Sequence, residues 1–315
     1  MSPLALSPRR LAALLRKELY AFFAQPLFYA VGAVFLLLAG YYFYSDLVFF
    51  VTFGFGENIF ENFFQLLFVD LRLVLLLTVP LLTMRLFAEE KKLGTIELLL
   101  TYPLSDAEIF VAKLIASGLA ALAMLAATLP TLWFLHGLTP FPIGPVVAAY
   151  AGLALMAIAF ATVGLLLSSL TDSQVVAAMS TLGTLLLLWV LSWHAPASEG
   201  GVAGFVASLS MFDHFESFSR GVVETKDLTY FLCLVVFAAV AALQAIGARG
   251  WRGGELLPTI LGLAGLLLAL AFAQGLAERH NLRLDLSPER RYTLSPHARR
   301  IVEHLPADVE IVAFV

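Results

Sequence analysis

Seven long apolar blocks dominate this chain of 315 residues. Each comes close to the roughly 20 residues that a helix needs to cross a hydrocarbon core. They run Pro26 to Tyr44, Phe64 to Phe87, Ile109 to Leu135, Pro145 to Leu167, Gln174 to Trp193, Thr229 to Gly247 and Leu256 to Gly275. In lipid a backbone has to satisfy its own polar groups, so blocks of this kind fold as helices. With 60% apolar residues, 13% charged residues and a mean hydropathy of +0.89, the chain falls outside the soluble globular class. The sequence therefore predicts an all-α polytopic membrane protein.

The second block is the least apolar. Asp70 and Arg72 leave only Leu73 to Met84 uncharged, and the two either snorkel toward the outer surface or mark a polar pair inside the bundle. Two later blocks open on capping signals: Ser105-Asp106-Ala107-Glu108 before the third and Thr171-Asp172-Ser173-Gln174 before the fifth. Upstream of the first block, Ser7-Pro8 starts a helix with Leu11, Leu14, Leu15, Leu19 and Phe22 at helical spacing. Arg9, Arg10, Arg16 and Lys17 fall off that stripe, as in a helix lying on a membrane surface. Glu18 falls on the apolar side and either pairs with a cation one turn away or makes a buried contact to the loop after the second span. The uncharged run from Leu19 to Ser45 exceeds the 7 to about 15 residues of a cleaved signal core, so it reads as a retained first span.

Between the second and third spans lies the densest patch of charge, Met84 to Asp106. Glu89, Glu90, Lys91 and Lys92 would each cost about 2.5 to 3.5 kcal/mol at mid-bilayer, which assigns them to a surface loop. Within it Thr95 to Leu100 reads as a short helix, with Thr95 as N-cap, Glu97 near the positive end of the dipole and Pro103 as its stop. A structured, charged helix at a membrane face suits docking of a soluble partner.

Lys and Arg counts orient the spans. Ten lie on one side (Arg9, Arg10, Arg16, Lys17, Arg85, Lys91, Lys92, Lys113, Arg249, Arg252) against Arg220 and Lys226 on the other. This predicts a cytoplasmic N-terminus and charged loop, with the chain after Gly275 extracytoplasmic. His194 to Leu228 is the longest outer connection, and its mixture of Phe205, Leu209, Phe212, Phe215 and Phe218 with Asp213, His214 and Glu216 reads as a lid on the bundle. Arg249 to Glu255, with Gly250, Gly253 and Gly254, reads as a hinge before the seventh span. From Glu278 onward six arginines appear, then a helix from Ser295-Pro296 and a strand over Asp308 to Val315, expected to begin an α/β domain cut short. The expected domains are 1–250, 251–277 and 278–315.

No phosphate-cradling G-x-x-x-x-G-K-[ST], no H-E-x-x-H and no G-x-S-x-G occurs, so no catalytic residue and no bound cofactor is expected. Cys233, the single cysteine, reads as a small packing residue. Asp213, His214 and Glu216 carry metal-type ligands but do not share a helix face, so no metal site is assigned. The charges of the arginine-rich tail read as coating a helix or meeting anionic headgroups, with no nucleic-acid partner.

The run Arg85 to Pro103 (RLFAEEKKLGTIELLLTYP) resembles the first cytoplasmic loop of type-2 ABC transporter permeases. His214-Phe215-Glu216-Ser217-Phe218-Ser219-Arg220-Gly221 is similar to their last outer loop, and Arg16-Lys17-Glu18-Leu19 to their interfacial helix. The likeness covers about residues 7 to 250 and is nearest the gliding-motility-associated branch. Glu278 to Ser295 resembles the start of the auxiliary extracytoplasmic subunit of those systems. The resemblance implies a six-helix type-2 ABC permease bundle with an N-terminal interfacial helix, plus a seventh transmembrane helix and the beginning of a truncated extracytoplasmic domain. It implies a bacterial cell membrane location, a homodimer or pseudo-dimer of permeases, and a separate cytoplasmic ABC ATPase that binds ATP and Mg. Glu18, Glu89, Glu90, Gly94, Thr95 and Glu97 would couple to that ATPase, and His214, Glu216, Arg220 and Gly221 would form the lid. An apolar pathway suits a lipid, glycan or apolar cargo; sodium or metal efflux and peptide export stay open. The competing expectations are a mechanotransmitting anchor of an envelope or motility complex, and an intramembrane enzyme using Asp70, Arg72 or the histidines.

Overall fold

A computed structural model describes residues 7–53, 59, 63–97, 102, 104–190, 210–247, 256–287 and 290–293. Helix α1 (Pro8–Ala24) ends because Pro26 forces Gln25 into the extended region, at φ −98° and ψ 136°. Helix α2 (Pro26–Phe53) follows, then α3 (Gln65–Thr83) and the short α4 (Ala88–Lys92). The third expected span is two helices, α5 (Asp106–Ala126) and α6 (Leu129–Leu138), because Pro130 has no N–H for the ladder and its ring crowds the carbonyl of Ala126. Thr128 Oγ1 donates to the Leu125 carbonyl (2.7 Å) and Thr131 Oγ1 to the Thr128 carbonyl (2.6 Å), which re-satisfies backbone at the break. Helices α7 (Ile143–Leu170), α8 (Gln174–Val190) and α9 (Met211–Ser219) precede strand β1 (Val222–Glu224), α10 (Thr225–Gly247), α11 (Leu256–Arg279) and strand β2 (Arg283–Asp285).

Among the described residues, six segments are long and apolar enough to cross a membrane: Pro26–Phe53, Gln65–Lys92, Asp106–Leu138, Ile143–Leu170, Thr225–Gly247 and Leu257–Arg279. The remaining expected span, Gln174 to Trp193, is described as a helix of 17 residues, about 26 Å long and at the lower limit for crossing. Its cap also differs from expectation. Ser173, not Thr171, supplies the acceptor for the first turn, through Val176 N–H (3.5 Å), while Thr171 Oγ1 accepts from Ser173 N–H (3.1 Å). The Ser105–Glu108 capping box is formed in both directions.

Helix α7 is the hub, packing against α3, α5, α8, α9 and α10. Its small residues permit this closeness. A Cβ on Gly164 would lie 2.8 Å from Thr83 Cβ on α3, and one on Gly152 would lie 2.6 Å from Phe218 Cβ on α9. Helix α1 lays Leu14, Glu18 and Phe22, one turn apart, against α5. Helix α11 packs chiefly on α10 and buries none of its most apolar stretch.

The strands clasp the far end of the bundle. β1 and β2 are antiparallel, with Val222 opposite Asp285, Val223 opposite Leu284 and Glu224 opposite Arg283. Glu224 is the buried node of the clasp: it receives Arg283 Nε (3.0 Å), Lys226 Nζ (3.0 Å) and Asn281 Nδ2 (2.6 Å). The 194–209 part of the outer connection, the whole Arg249 to Glu255 hinge, and the Ser295 to Val315 helix and strand lie outside the described residues.

Candidate functional site

The charges between α3 and α5 build a joint among three helices. Lys113, on α5, is 1% exposed, and its Nζ lies 3.2 Å and 3.3 Å from the two carboxylate oxygens of Glu18 on α1. The same Nζ donates to Glu90 Oε1 on α4 at 2.8 Å. Lys17 adds a second, exposed cation, 3.4 Å from Glu18 and 3.8 Å from Glu90. Glu18, at 4% exposure, therefore has the buried contact toward the charged loop, made through Lys113, and its other close cation is its chain neighbour rather than one a turn away. The Phe87 ring lies 5.4 Å from the ammonium and closes the joint on the bundle side.

Two further ties hold the same end. Ser168 Oγ, near the end of α7, accepts from the Phe87 and Ala88 N–H groups (both 3.1 Å) and donates to the Met84 carbonyl (3.0 Å). It thus supplies partners for backbone groups freed where α3 gives way to α4. The Lys91 ammonium donates to the Ser169 carbonyl beside it. On α5, Glu108 accepts from the Ser7 and Ser105 N–H groups (2.9 Å each) and lies 3.4 Å from Arg10, so the start of α1 is pinned as well.

Beyond the joint the chain turns outward. Gly94 sits at φ +69°, just past the α4 C-cap Leu93, a conformation that a residue with a Cβ adopts at a cost. Residues 95–97 are helical, and the Thr95 hydroxyl donates back to the Glu90 carbonyl (3.3 Å), tying the start of this turn to α4. Lys92, Leu93, Gly94, Thr95 and Glu97 are exposed, Ile96 is buried beneath them, and Glu89 is half-buried on α4. Leu98 to Thr101 and Pro103 lie outside the described residues.

At the opposite end α9 forms a cover on α7 with Met211, Phe212, Phe215 and Phe218 buried beneath it. Arg72 reaches it from α3: its guanidinium lies 4.5 Å from the Phe212 ring centre and donates to the Phe212 carbonyl (3.3 Å). Arg72 thus fastens the cover, and no ion pair joins it to Asp70 among the described residues. His214 reaches the next long helix. Its Nδ1 is 2.7 Å from Asp227 Oδ1 on α10, and its ring stacks on Tyr230 at 4.1 Å. Glu216 pairs instead with Arg220 on the exposed side. Gly221 follows at φ +83°, and its carbonyl accepts from Leu286 N–H (3.0 Å), tying cover to clasp.

Sequence reasoning counted Lys113 only for orientation and passed over Ser168, Asp227 and Glu224. Lys113 carried a usable signal, a lone cation inside an apolar run, which by default marks a functional position. The family model for the ABC-2 family transporter protein matches residues 12–250. No curated protein matches the chain.

Proposed function

We propose, from the premise that this chain belongs to the ABC-2 family of transporter proteins, that it works as a gliding-type exporter subunit driven by a separate ATPase. A permease of this family is a membrane transport subunit that pairs with a cytoplasmic ABC ATPase and dimerises. ATP and Mg belong to that partner. The joint end is the cytoplasmic one, in keeping with its excess of Lys and Arg, and the α9 cover faces outward. Lys92 to Glu97 is the docking surface, and Glu18, Glu89 and Glu90 carry the push of the ATPase into the bundle.

One observation carries this reading: a buried Lys113 binds carboxylates of both α1 and α4, the two cytoplasmic elements a docked ATPase would touch. A displacement of α4 cannot occur without moving α5 and α1, because separating these charges leaves them uncompensated in a buried setting. The test reconstitutes the chain with its ATPase and measures stimulated hydrolysis and transport for Glu97→Lys and Glu90→Lys. Both are expected to fall together. Unchanged rates in both variants would overturn the coupling assignment. If an ATPase-dead partner still supported the cellular phenotype, the chain would instead be an envelope anchor.

A further inference from the structure

The outer half of the seam between α2 and α3 holds two carboxylates that the coupling reading does not use. Asp46 on α2 is 8% exposed, and its Oδ2 has no hydrogen-bond partner among the described residues. A buried, unmatched carboxylate oxygen is costly unless something compensates it. The charge that acts on it from α3 is Asp70, of like sign. Neither carboxylate has an ion pair among the described residues, and Arg72, the nearest cation on α3, is turned to the Phe212 carbonyl and ring.

Along the same seam a cleft of about 50 Å³ opens between α2, α3, α6 and α7. Phe43 lines it one turn inward of Asp46, and Leu67 and Leu71 line it on either side of Asp70 along α3. Its floor is the α5–α6 break, where the Thr128 hydroxyl meets the Tyr150 hydroxyl at 2.7 Å. On α2 the partly buried face around Asp46 is aromatic, with Tyr42, Phe43 and Phe50 one turn away on either side. Unmatched negative charge, aromatic faces and an apolar slot are together the recognition chemistry of an amine with a hydrocarbon body.

We propose that this seam binds an organic cation, a protonated or quaternary amine, with its charge at Asp46 and Asp70 and its first methylenes in the cleft. The cation supplies the partner that Asp46 Oδ2 lacks. An anion of the same shape is repelled by both carboxylates, and a neutral alcohol leaves them unmatched. The site lies apart from the Lys113 joint, so binding to the isolated chain is measured without the ATPase and stands or falls independently of the transport reading.

The experiment places the full chain in nanodiscs of zwitterionic lipid and follows the thermal midpoint during titration with hexyltrimethylammonium. Hexanol and hexanoate serve as neutral and anionic controls. The expected result is a saturable rise with the ammonium alone. Asp46→Asn should weaken it by about tenfold or more, the scale of one lost charge-assisted contact. Gly40→Leu should do the same by filling the cleft, since a Cβ there meets no heavy atom within 4 Å and the variant can fold. Asp70→Asn replaces Asp46→Asn if the latter does not fold. Identical curves for wild type and variants, or an equal rise with hexanol, would overturn the proposal by showing bilayer partitioning or an uncharged cavity.

Discussion

Replacing Lys113 by Met tests whether the joint of α1, α4 and α5 is an energetic unit. Methionine nearly fills the volume but removes the charge, leaving Glu18 at 4% exposure and Glu90 facing each other across the gap. Breaking a buried pair in this way costs about 3 to 5 kcal/mol. The lower end applies, about 3 kcal/mol, because Lys17 remains 3.4 Å and 3.8 Å from the two carboxylates and the Glu90 side chain is 19% exposed. Glu18→Gln alone is milder, about 1 kcal/mol, since Lys113 keeps its 2.8 Å bond to Glu90. In the double variant much of the repulsion created by Lys113→Met is gone. The cycle should therefore give a coupling of about 2 kcal/mol, read from reversible unfolding in mixed micelles by tryptophan fluorescence. Additivity within about 0.5 kcal/mol would refute the argument, because it would mean that Lys113 and Glu18 are near each other without acting on each other.

Gly164→Ala should cost about 1 to 3 kcal/mol through the collision with Thr83, and Thr83→Ala in the same chain should recover part of it in the same unfolding assay. Ser168→Ala strips an acceptor from two backbone N–H groups and a donor from the Met84 carbonyl; a loss of about 1 to 3 kcal/mol is expected, with faster hydrogen exchange over 84–92. The β1–β2 clasp should open in acid. Burial pushes Glu224 up, but the hydrogen bonds and charges of Lys226, Asn281 and Arg283 outweigh it and hold its carboxyl below its ordinary range. Asp285 is likewise pushed up by burial and held down more strongly by the hydroxyl and N–H donors of Ser287, Thr293 and Tyr292. Folded values below the unfolded ones mean stabilisation that is complete above the unfolded carboxylate range and lost as pH falls through the folded values. Spin labels on the exposed Arg220 and Leu282 should separate below about pH 4, and a distance unchanged until the bundle itself unfolds would refute this.

What the sequence made legible is the set of properties carried by local pattern. Apolar run length located the six described segments long and apolar enough to cross a membrane, though it also marked Gln174 to Trp193, described as a helix of 17 residues; Ser105 with Glu108 located the start of α5, and the Leu14, Glu18, Phe22 stripe placed Glu18 on the packed face of α1. The break at Pro130 had a local signal too, but the apolar run continues on both sides of it and hides the interruption. Contacts between residues far apart in the chain had no such signal. Lys113 meets Glu18 across 95 positions, Ser168 meets Phe87 across 81, and Asn281 meets Glu224 across 57. For His214 the sequence offered only Asp213 and Glu216 as ligand-type neighbours, while its partner Asp227 lies on the next long helix.

One helix, α7, is tied at both of its ends, and this bears on how a push at one end is felt at the other. α7 holds Ser168 against the α3–α4 junction and, some 24 residues earlier, places Gly144 and Pro145 beside Leu286 and Gly221 of the clasp. Twenty-eight residues of helix span about 42 Å, so α7 reaches from the joint to the outer cover as one element. Between those ends it meets Thr83 at Gly164 and Phe218 at Gly152 with no room for a methyl group. Packing this close resists sliding, because any relative shift drives side chains into backbone. On the proposed coupling, then, a displacement of α4 passes to α7 through Ser168 and arrives at α9 as a tilt of the whole helix. It would not arrive as a relay of side-chain moves. Enlarging Gly152 should accordingly disturb the cover without altering the joint, and enlarging Gly164 should uncouple the two, a distinction readable by comparing hydrogen exchange over 84–92 with that over 211–219 in each variant.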